Sequence, residues 1–294
     1  MKLKNIILVG LVALYLISTA SAQISGSEEE EKIEVAVTIA PLAQVVEQIG
    51  GDKVRVSEIT SITEYLSKRW DKQRIAFVLV GSGIEFEAGW TEYVKNRSVD
   101  VLNYVFSNES ELPVFVINCS NGIELIEGDP HVWLSPKNVK IMANNIYEGL
   151  VWADPFNEEY YSKNRDAYQW RLDELDNEIT ETLSGIENRK FLVYHPAWGY
   201  FCRDYDLEQF GIEENGKKPS PSKIVEAIKY ARENNVRVIA ISSLISYEVW
   251  ACDRESLDEI AEEIDGWIIE LDPLPEHYIK GMRKVAVTLA RNLE

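Results

Sequence analysis

The sequence has few of the residues on which most catalytic and metal-binding motifs depend. Its 294 residues include three histidines and three cysteines. Cys119, Cys202 and Cys252 lack the paired CxxC spacing of a structural zinc site, and their odd number leaves any disulfide pairing undetermined. The sequence contains no GxSxG nucleophile elbow, no P-loop and no GxGxxG motif after its first predicted strand. The common nucleotide-binding and serine-hydrolase patterns are therefore excluded.

Basic residues are also scarce. The chain has 30 Lys and Arg against 49 Asp and Glu, which gives a net charge of −19. Such a surface repels nucleic acid and anionic lipid, so neither DNA nor RNA is expected as a partner. The hydrophobic fraction of 46% and the charged fraction of 27% indicate a folded globular chain, long enough for two modest domains or one large one.

The N-terminal apolar run, residues 6–17, is too short to span a bilayer comfortably. Lys2 and Lys4 precede it and the small residues Ala-Ser-Ala follow it, a pattern typical of a secretory signal peptide cleaved near Ala22. Cleavage would change the net charge from −19 to −21, and no cysteine near the cleavage site could carry a lipid anchor. The sequence thus predicts an exported protein at the cell surface, in the periplasm or outside the cell.

Three Asn-X-Ser acceptor triplets begin at Asn96, Asn108 and Asn118. Such triplets also arise by chance, so glycosylation of this flank stays an open alternative.

Predicted strands alternate with predicted helices along most of the chain. The strands are residues 33–40, 53–59, 74–81, 112–118, 190–195, 236–242 and 266–273. This order predicts an α/β fold in two halves with largely parallel sheets. Between the halves, apolar residues recur every three or four positions, which predicts a long linking helix that acts as a strut. The predicted segments are a signal peptide (1–22), an acidic flexible lead-in (23–33), an N-terminal α/β lobe (34–153), the linking helix (154–188) and a C-terminal α/β lobe (189–294).

Three potential metal ligands fall where a strand gives way to a loop or within a rigid turn. His195 ends a predicted strand, Asp272 ends another, and His131 lies in the turn "GDPHVWLSP". In open α/β sheets ligands bind at strand ends, and two imidazoles with one carboxylate suit zinc or manganese. The alternative is that each residue has only a structural role, since single histidines and aspartates are commonly satisfied within the fold.

Several stretches, in this order, resemble the zinc- and manganese-binding solute-binding proteins of ABC importers, the cluster A binding proteins. They are "VAVTIAPLAQVVEQIGGDKV", "GDPHVWLSPKNVKIMANNI", "DPFNEEYYSKN", "RKFLVYHPAWGYFCRDYDLEQFGIEENGKKPSPSKI" and "IIELDPL". The resemblance covers most of the chain after the signal peptide. It implies two α/β lobes joined by one rigid helix, with a metal cleft between the lobes.

The resemblance also implies a function and a ligand set. The expected cargo is a divalent metal, with zinc ahead of manganese, and the expected partner of this monomer is an importer permease in the membrane. His131, His195 and Asp272 fall on three of the four usual ligand positions. No catalytic residue is expected, because a zinc-dependent hydrolase would need a base such as that of HExxH, which the sequence lacks.

The fourth ligand position departs from the family. Ile62 or Thr63 falls where the family usually has a further histidine, and Ser242 or Ser243 where relatives often have a glutamate. The family's histidine-rich acidic loop is absent too. Glu64, Glu58 or a water molecule would then complete the zinc coordination. The alternative is a diverged member with a degenerate site that acts as a non-metal binding or surface-interaction module.

Overall fold

The computed structural model describes residues 32–58, 75–79, 114–213, 217–243 and 247–293. The predicted signal peptide, Glu64, and the acceptor triplets at Asn96 and Asn108 lie outside these residues. None of the helices in the described ranges combines the length and the hydropathy that a membrane span requires.

The first sheet is built from four parallel strands in the order β2-β1-β3-β4. Their bounds are β1 Ile33–Val37, β2 Val54–Glu58, β3 Ile75–Leu79 and β4 Val114–Asn118. Every residue of β1 is buried, as expected for a central strand that is covered on both faces. All four strands predicted for this half are confirmed.

The second sheet also has four parallel strands, in the order β6-β5-β7-β8. Their bounds are β5 Lys190–Val193, β6 Glu208–Gly211, β7 Val238–Ser242 and β8 Trp267–Leu271. Three of them are confirmed predictions, whereas β6 was not predicted. Its sequence, EQFG, is short and has a single large apolar residue, because it lies at the edge of the sheet, where no alternating hydrophobic pattern is needed.

The helices lie between and after the strands. Their bounds are α1 Ala40–Gly50, α2 Pro136–Ala153, α3 Glu158–Leu183, α4 Gly199–Asp204, α5 Pro221–Glu233, α6 Tyr247–Glu263 and α7 Tyr278–Asn292. Serine caps and prolines in the first turn fix the beginnings of α2 and α5. The Ser135 hydroxyl accepts from the Asn138 N–H at 3.0 Å, and Ser220 accepts from Lys223 at 3.3 Å.

Helix α3 is the predicted long helix. Its 26 residues span about 39 Å. It begins later than predicted because residues Pro155–Asn157 form a separate 3-10 turn. One stripe of α3 is buried, and it consists of Tyr161, Tyr168, Leu172, Leu175, Ile179 and Leu183. The helix packs against α1 and α2 from the first half of the chain and against α7 from the second.

The two sheets share one hydrophobic core. A continuous cluster of buried side chains includes β1, α2, α3, α4 and α7, together with Phe191 and Val193 of β5. The alternate residues Leu192 and Tyr194 point into a second cluster on the other face of the same sheet. Because the core is continuous across α3, the two halves are packed together and not merely tethered.

Cys119 and Cys202 are buried thiols in this core, and the Cys252 side chain lies outside the described part of the chain. Burial, reinforced by the nearby carboxylates of Asp129 and Glu208, raises the pKa of Cys202 far above its usual value. A thiol of this kind is unreactive, since only the thiolate is a good nucleophile or metal ligand.

Candidate metal centre

His131 is presented by a tight turn that precedes the 3-10 helix Val132–Leu134. The Asp129 N–H donates to the Ile126 carbonyl at 3.1 Å, which closes the turn. Gly128 has a φ of +77°, a left-handed conformation that a residue without Cβ adopts readily. The sequence Gly-Asp-Pro-His thus directs the His131 side chain into the protein, where the residue is only 5% exposed.

Asp129 fixes the orientation of the His131 ring. One oxygen, Oδ1, accepts a hydrogen bond from the backbone N–H of His131 at 2.9 Å. The same oxygen lies 2.8 Å from Nδ1 of the ring. An ionised carboxylate can only accept, so Nδ1 carries the proton and Nε2 presents its lone pair. The two contacts together hold both the backbone and the imidazole.

His195 has an equivalent carboxylate, Glu213. Its Nδ1 lies 2.6 Å from Oε1 of Glu213. The strands β5 and β6 are paired, and the pairing continues beyond them, because the Glu213 N–H donates to the Tyr194 carbonyl at 3.0 Å. The unpredicted strand β6 therefore delivers the carboxylate that orients His195. Sequence reasoning missed Glu213 for that reason.

The planes of the two rings are nearly perpendicular, with an interplanar angle of 78° and ring centroids 5.0 Å apart. Their Nε2 atoms are 3.2 Å apart, although 64 residues separate the histidines in the chain. With both Nδ1 atoms protonated towards carboxylates, two lone pairs face each other across this gap, which is repulsive unless a proton or a metal ion lies between them. Two nitrogens bound to one tetrahedral zinc at 2.0–2.1 Å are about 3.3 Å apart. The observed separation fits this geometry.

Asp272 lies at the end of β8, two strands away from β5 and so about 10 Å from it. Its Oδ1 accepts from the Leu274 N–H at 3.0 Å, which fixes the carboxylate in a turn. Across the described ranges, no three His, Cys, Asp or Glu side chains converge on a single point as a ligand set. The structure therefore brings His131 and His195 together, and Asp272 as their third partner stays a prediction.

The other predicted positions have different outcomes. Glu64 lies outside the described residues, while Glu58 ends β2 on the surface. Ser242 ends β7 and is half-buried. The third histidine, His277, is the N-cap residue that precedes α7, where the chain is extended.

A second set of hydrogen bonds ties the loop after Asp272 to the segment after His131. The Trp133 indole donates from Nε1 to the Pro273 carbonyl at 2.7 Å. In return, the Tyr278 hydroxyl donates to the Trp133 carbonyl at 2.8 Å. The Tyr278 N–H also donates to Oε1 of Gln44 in α1, at 2.7 Å. The Asp272 loop is thereby attached to the half of the protein that carries His131.

Helix α4, which follows His195, is attached to the same region. The Tyr200 hydroxyl donates to the Asp129 carbonyl at 3.1 Å and accepts from the Ile126 N–H at 2.9 Å. The Ser135 hydroxyl donates to the Asp204 carboxylate at the end of α4. These contacts hold the two histidine segments in register.

The protein has two parallel β-sheets that share one core, and a histidine pair supported by carboxylates lies between them. These features define a two-lobed α/β ligand-binding protein. Residues 35–292 match the family described as zinc-uptake complex component A, periplasmic. The match covers far more than half of the sequence, and the chain belongs to this family.

Individual relatives agree with the family. A putative metal-binding protein of Chlamydia trachomatis is 29% identical over 290 residues, which cover 95% of this chain and 99% of that protein. The high-affinity zinc uptake system protein ZnuA of Bacillus subtilis is 33% identical over 169 residues, covering 50% of this chain and 51% of that protein. A crystal structure of ZnuA is 30% identical, with a TM-score of 0.72, and covers 90% of this chain and 100% of that one.

Proposed function

We propose that this protein is an exported solute-binding protein that captures a divalent transition metal, zinc before manganese, and delivers it to the permease of an ABC importer. The observation that carries the proposal is the histidine pair. Two imidazoles face each other at 3.2 Å through Nε2, and each is oriented by a carboxylate on its other nitrogen. Carboxylate–histidine–metal arrangements of this kind are typical of transition-metal sites.

The family and its relatives support the same cargo. A matching structure is described as a ZnuA deletion mutant with zinc bound, at 30% identity and a TM-score of 0.71. A 28% identical protein of Streptococcus pyogenes is named an iron ABC transporter substrate-binding lipoprotein, MtsA. Zinc, manganese and ferrous iron all accept imidazole and carboxylate ligands, so the same donor residues suit all three ions.

Within the proposed site, His131 and His195 bind the ion through Nε2, and Asp272 supplies the third ligand. Glu64 or a water molecule takes the fourth position. The carboxylates of Asp129 and Glu213 hold the ring tautomers and make the nitrogens better donors. Capture and release of an ion require no covalent step, and the proposal assigns none.

Titration of metal-stripped protein with zinc and with manganese, followed by calorimetry and thermal unfolding, tests the proposal. We expect saturable one-to-one binding of zinc with a clear rise in Tm. His131→Ala and His195→Ala should each abolish most of the affinity. The third histidine provides the control, since His277→Ala removes an imidazole from the chain but not from the pair. Absence of binding in the wild type, or equal affinity in all three variants, would contradict the proposal and favour a non-metal binding module.

A further inference from the structure

Gly199, the first residue of α4, approaches Asp129 too closely to carry a side chain. A Cβ placed on Gly199 would lie 2.3 Å from Oδ2 of Asp129, a distance that real Cβ atoms do not show. The φ of Gly199 is not in the left-handed region, so backbone conformation does not require glycine there. The requirement comes from the neighbouring carboxylate.

Asp129 is confined on two sides. Its Oδ1 accepts both hydrogen bonds from His131. Its Oδ2 is buried and has no hydrogen-bond partner in the described structure. Since the Asp129 side chain is only 9% exposed, little water reaches that second oxygen. The packing of Oδ2 against the Gly199 backbone therefore decides how the carboxylate is turned.

We propose that Gly199 is a positioning residue for the metal site: it leaves the space in which Asp129 can orient His131. Gly199 follows His195 by only four residues, so the segment that carries one histidine sets the carboxylate that orients the other. A methyl group at this position would push Asp129 away and weaken its contact with Nδ1. The two Nε2 atoms would then no longer be held 3.2 Å apart.

This inference rests on the proposed function, because it assumes that the site binds a metal ion. The first test, however, uses the metal-free protein. In the wild type, ¹⁵N spectra of the imidazoles should show His131 with the proton on Nδ1. In Gly199→Ala we expect a mixture of the two tautomers. If the His131 signals are unchanged in Gly199→Ala, the inference is overturned, whether or not the protein binds zinc.

Affinity is the second readout, and the chain offers two matched glycine controls. In Gly185→Ala the added methyl group meets no atom within 4 Å, so zinc affinity and Tm should stay as in the wild type. In Gly149→Ala the methyl group collides with the Ile117 side chain in the core, so Tm should fall while zinc affinity stays. Gly199→Ala should instead lose about 10- to 100-fold in zinc affinity.

A double-mutant cycle with Asp129→Ala separates this mechanism from a general disturbance. If Gly199 acts through the carboxylate, Asp129→Ala and the double variant should bind zinc with the same reduced affinity. Additive losses would overturn the inference, as would wild-type affinity in Gly199→Ala. A wild type that binds no zinc would contradict the proposed function alone, because the tautomer measurement would still decide the role of Gly199.

Discussion

The two facing histidines are each supported by a carboxylate, but their surroundings differ. His131 is nearly enclosed, with 6% of its side chain exposed, whereas 31% of the His195 side chain is accessible. The carboxylate of Glu213 is only 10% exposed, so water can approach this contact mainly from the side of the His195 ring. At the proposed metal site an ion would therefore reach the pair from the side of His195, while His131 is the enclosed partner.

Substitution of Glu213 tests the support of His195. Glu213→Ala should lower zinc affinity by about 10- to 100-fold, because the ring loses the acceptor that orients it. Glu213→Gln should lose less, since an amide oxygen still accepts from Nδ1 but lacks the charge. Calorimetric titration measures both. Glu226→Ala, which removes an exposed carboxylate paired with Lys223 on α5, serves as the control and should bind normally. Wild-type zinc affinity in Glu213→Ala would contradict this role of Glu213.

At the scale of the elements, the site depends on two short segments that cross between the halves. Helix α4 carries Tyr200 and Asp204 to the turn around His131, and the loop after β8 carries Pro273 to Trp133. Neither segment is an amphipathic helix or an alternating strand of the kind that sequence patterns reveal. Their positions depend on hydrogen bonds to segments that are distant in the sequence.

Trp133→Phe tests the attachment of the Asp272 loop. The substitution keeps an aromatic ring but removes the indole donor and leaves the Pro273 carbonyl unpaired, which should lower the free energy of unfolding by about 1–3 kcal/mol. Zinc affinity should also fall, because the predicted ligand Asp272 precedes Pro273 directly.

Trp267→Phe is the matched control for this experiment. Trp267 also donates through Nε1, at 2.8 Å to Oδ1 of Asn292, but it is 41% exposed and water can replace the lost donor. Denaturant unfolding and zinc titration of the two variants should therefore differ. Equal effects on stability and affinity would show that the Trp133 contact has no special role.

At the scale of the whole molecule, the continuous core buries several tyrosines. Burial raises the pKa of Tyr161, Tyr168, Tyr205 and Tyr278 well above the usual value of about 10. Hydrogen bonding to a carboxylate, Asp154 for Tyr161 and Asp176 for Tyr205, adds to this effect. These phenols stay protonated in the folded protein at pH values at which they ionise in the unfolded chain.

Stability should consequently fall at alkaline pH. Below pH 10 both states keep the phenol protons, so this contribution is fully present. As the pH rises above about 10 the unfolded chain loses protons that the folded protein retains, and the free energy of unfolding decreases. Urea unfolding at pH values from about 8 to about 11 measures how the free energy of unfolding changes with pH around the tyrosine pKa.

Tyr168→Phe provides the comparison. The Tyr168 hydroxyl is buried and has no hydrogen-bond partner among the described residues, so its removal leaves no other group unpaired. The variant should be at least as stable as the wild type at neutral pH and should lose less stability above pH 10. A steeper loss in the variant, or constant stability of the wild type at alkaline pH, would contradict this account.

Much of the architecture was predictable from local patterns. Local patterns in residues 33–40 and 236–242 predicted the strands β1 and β7, and the spacing of Tyr168, Leu172 and Leu175 predicted the stripe of α3. The strand β6 was missed because an edge strand of four residues, with one large apolar side chain, carries no such pattern. The same omission concealed Glu213, which lies two residues beyond that strand.

Local sequence patterns were enough to predict the α/β class, the long helix and the places of His131, His195 and Asp272 at ends of elements. The folded chain was needed to see that the two imidazoles meet at 3.2 Å, that Asp129 and Glu213 hold them, and that Gly199 makes room for Asp129. The difference arises because sequence patterns report on residues that are close together in the chain, whereas the site is formed by residues that are far apart in it. Hydrophobic periodicity records which side of a single element faces the core, whereas these contacts join atoms from segments that become neighbours only when both sheets and α3 have packed together.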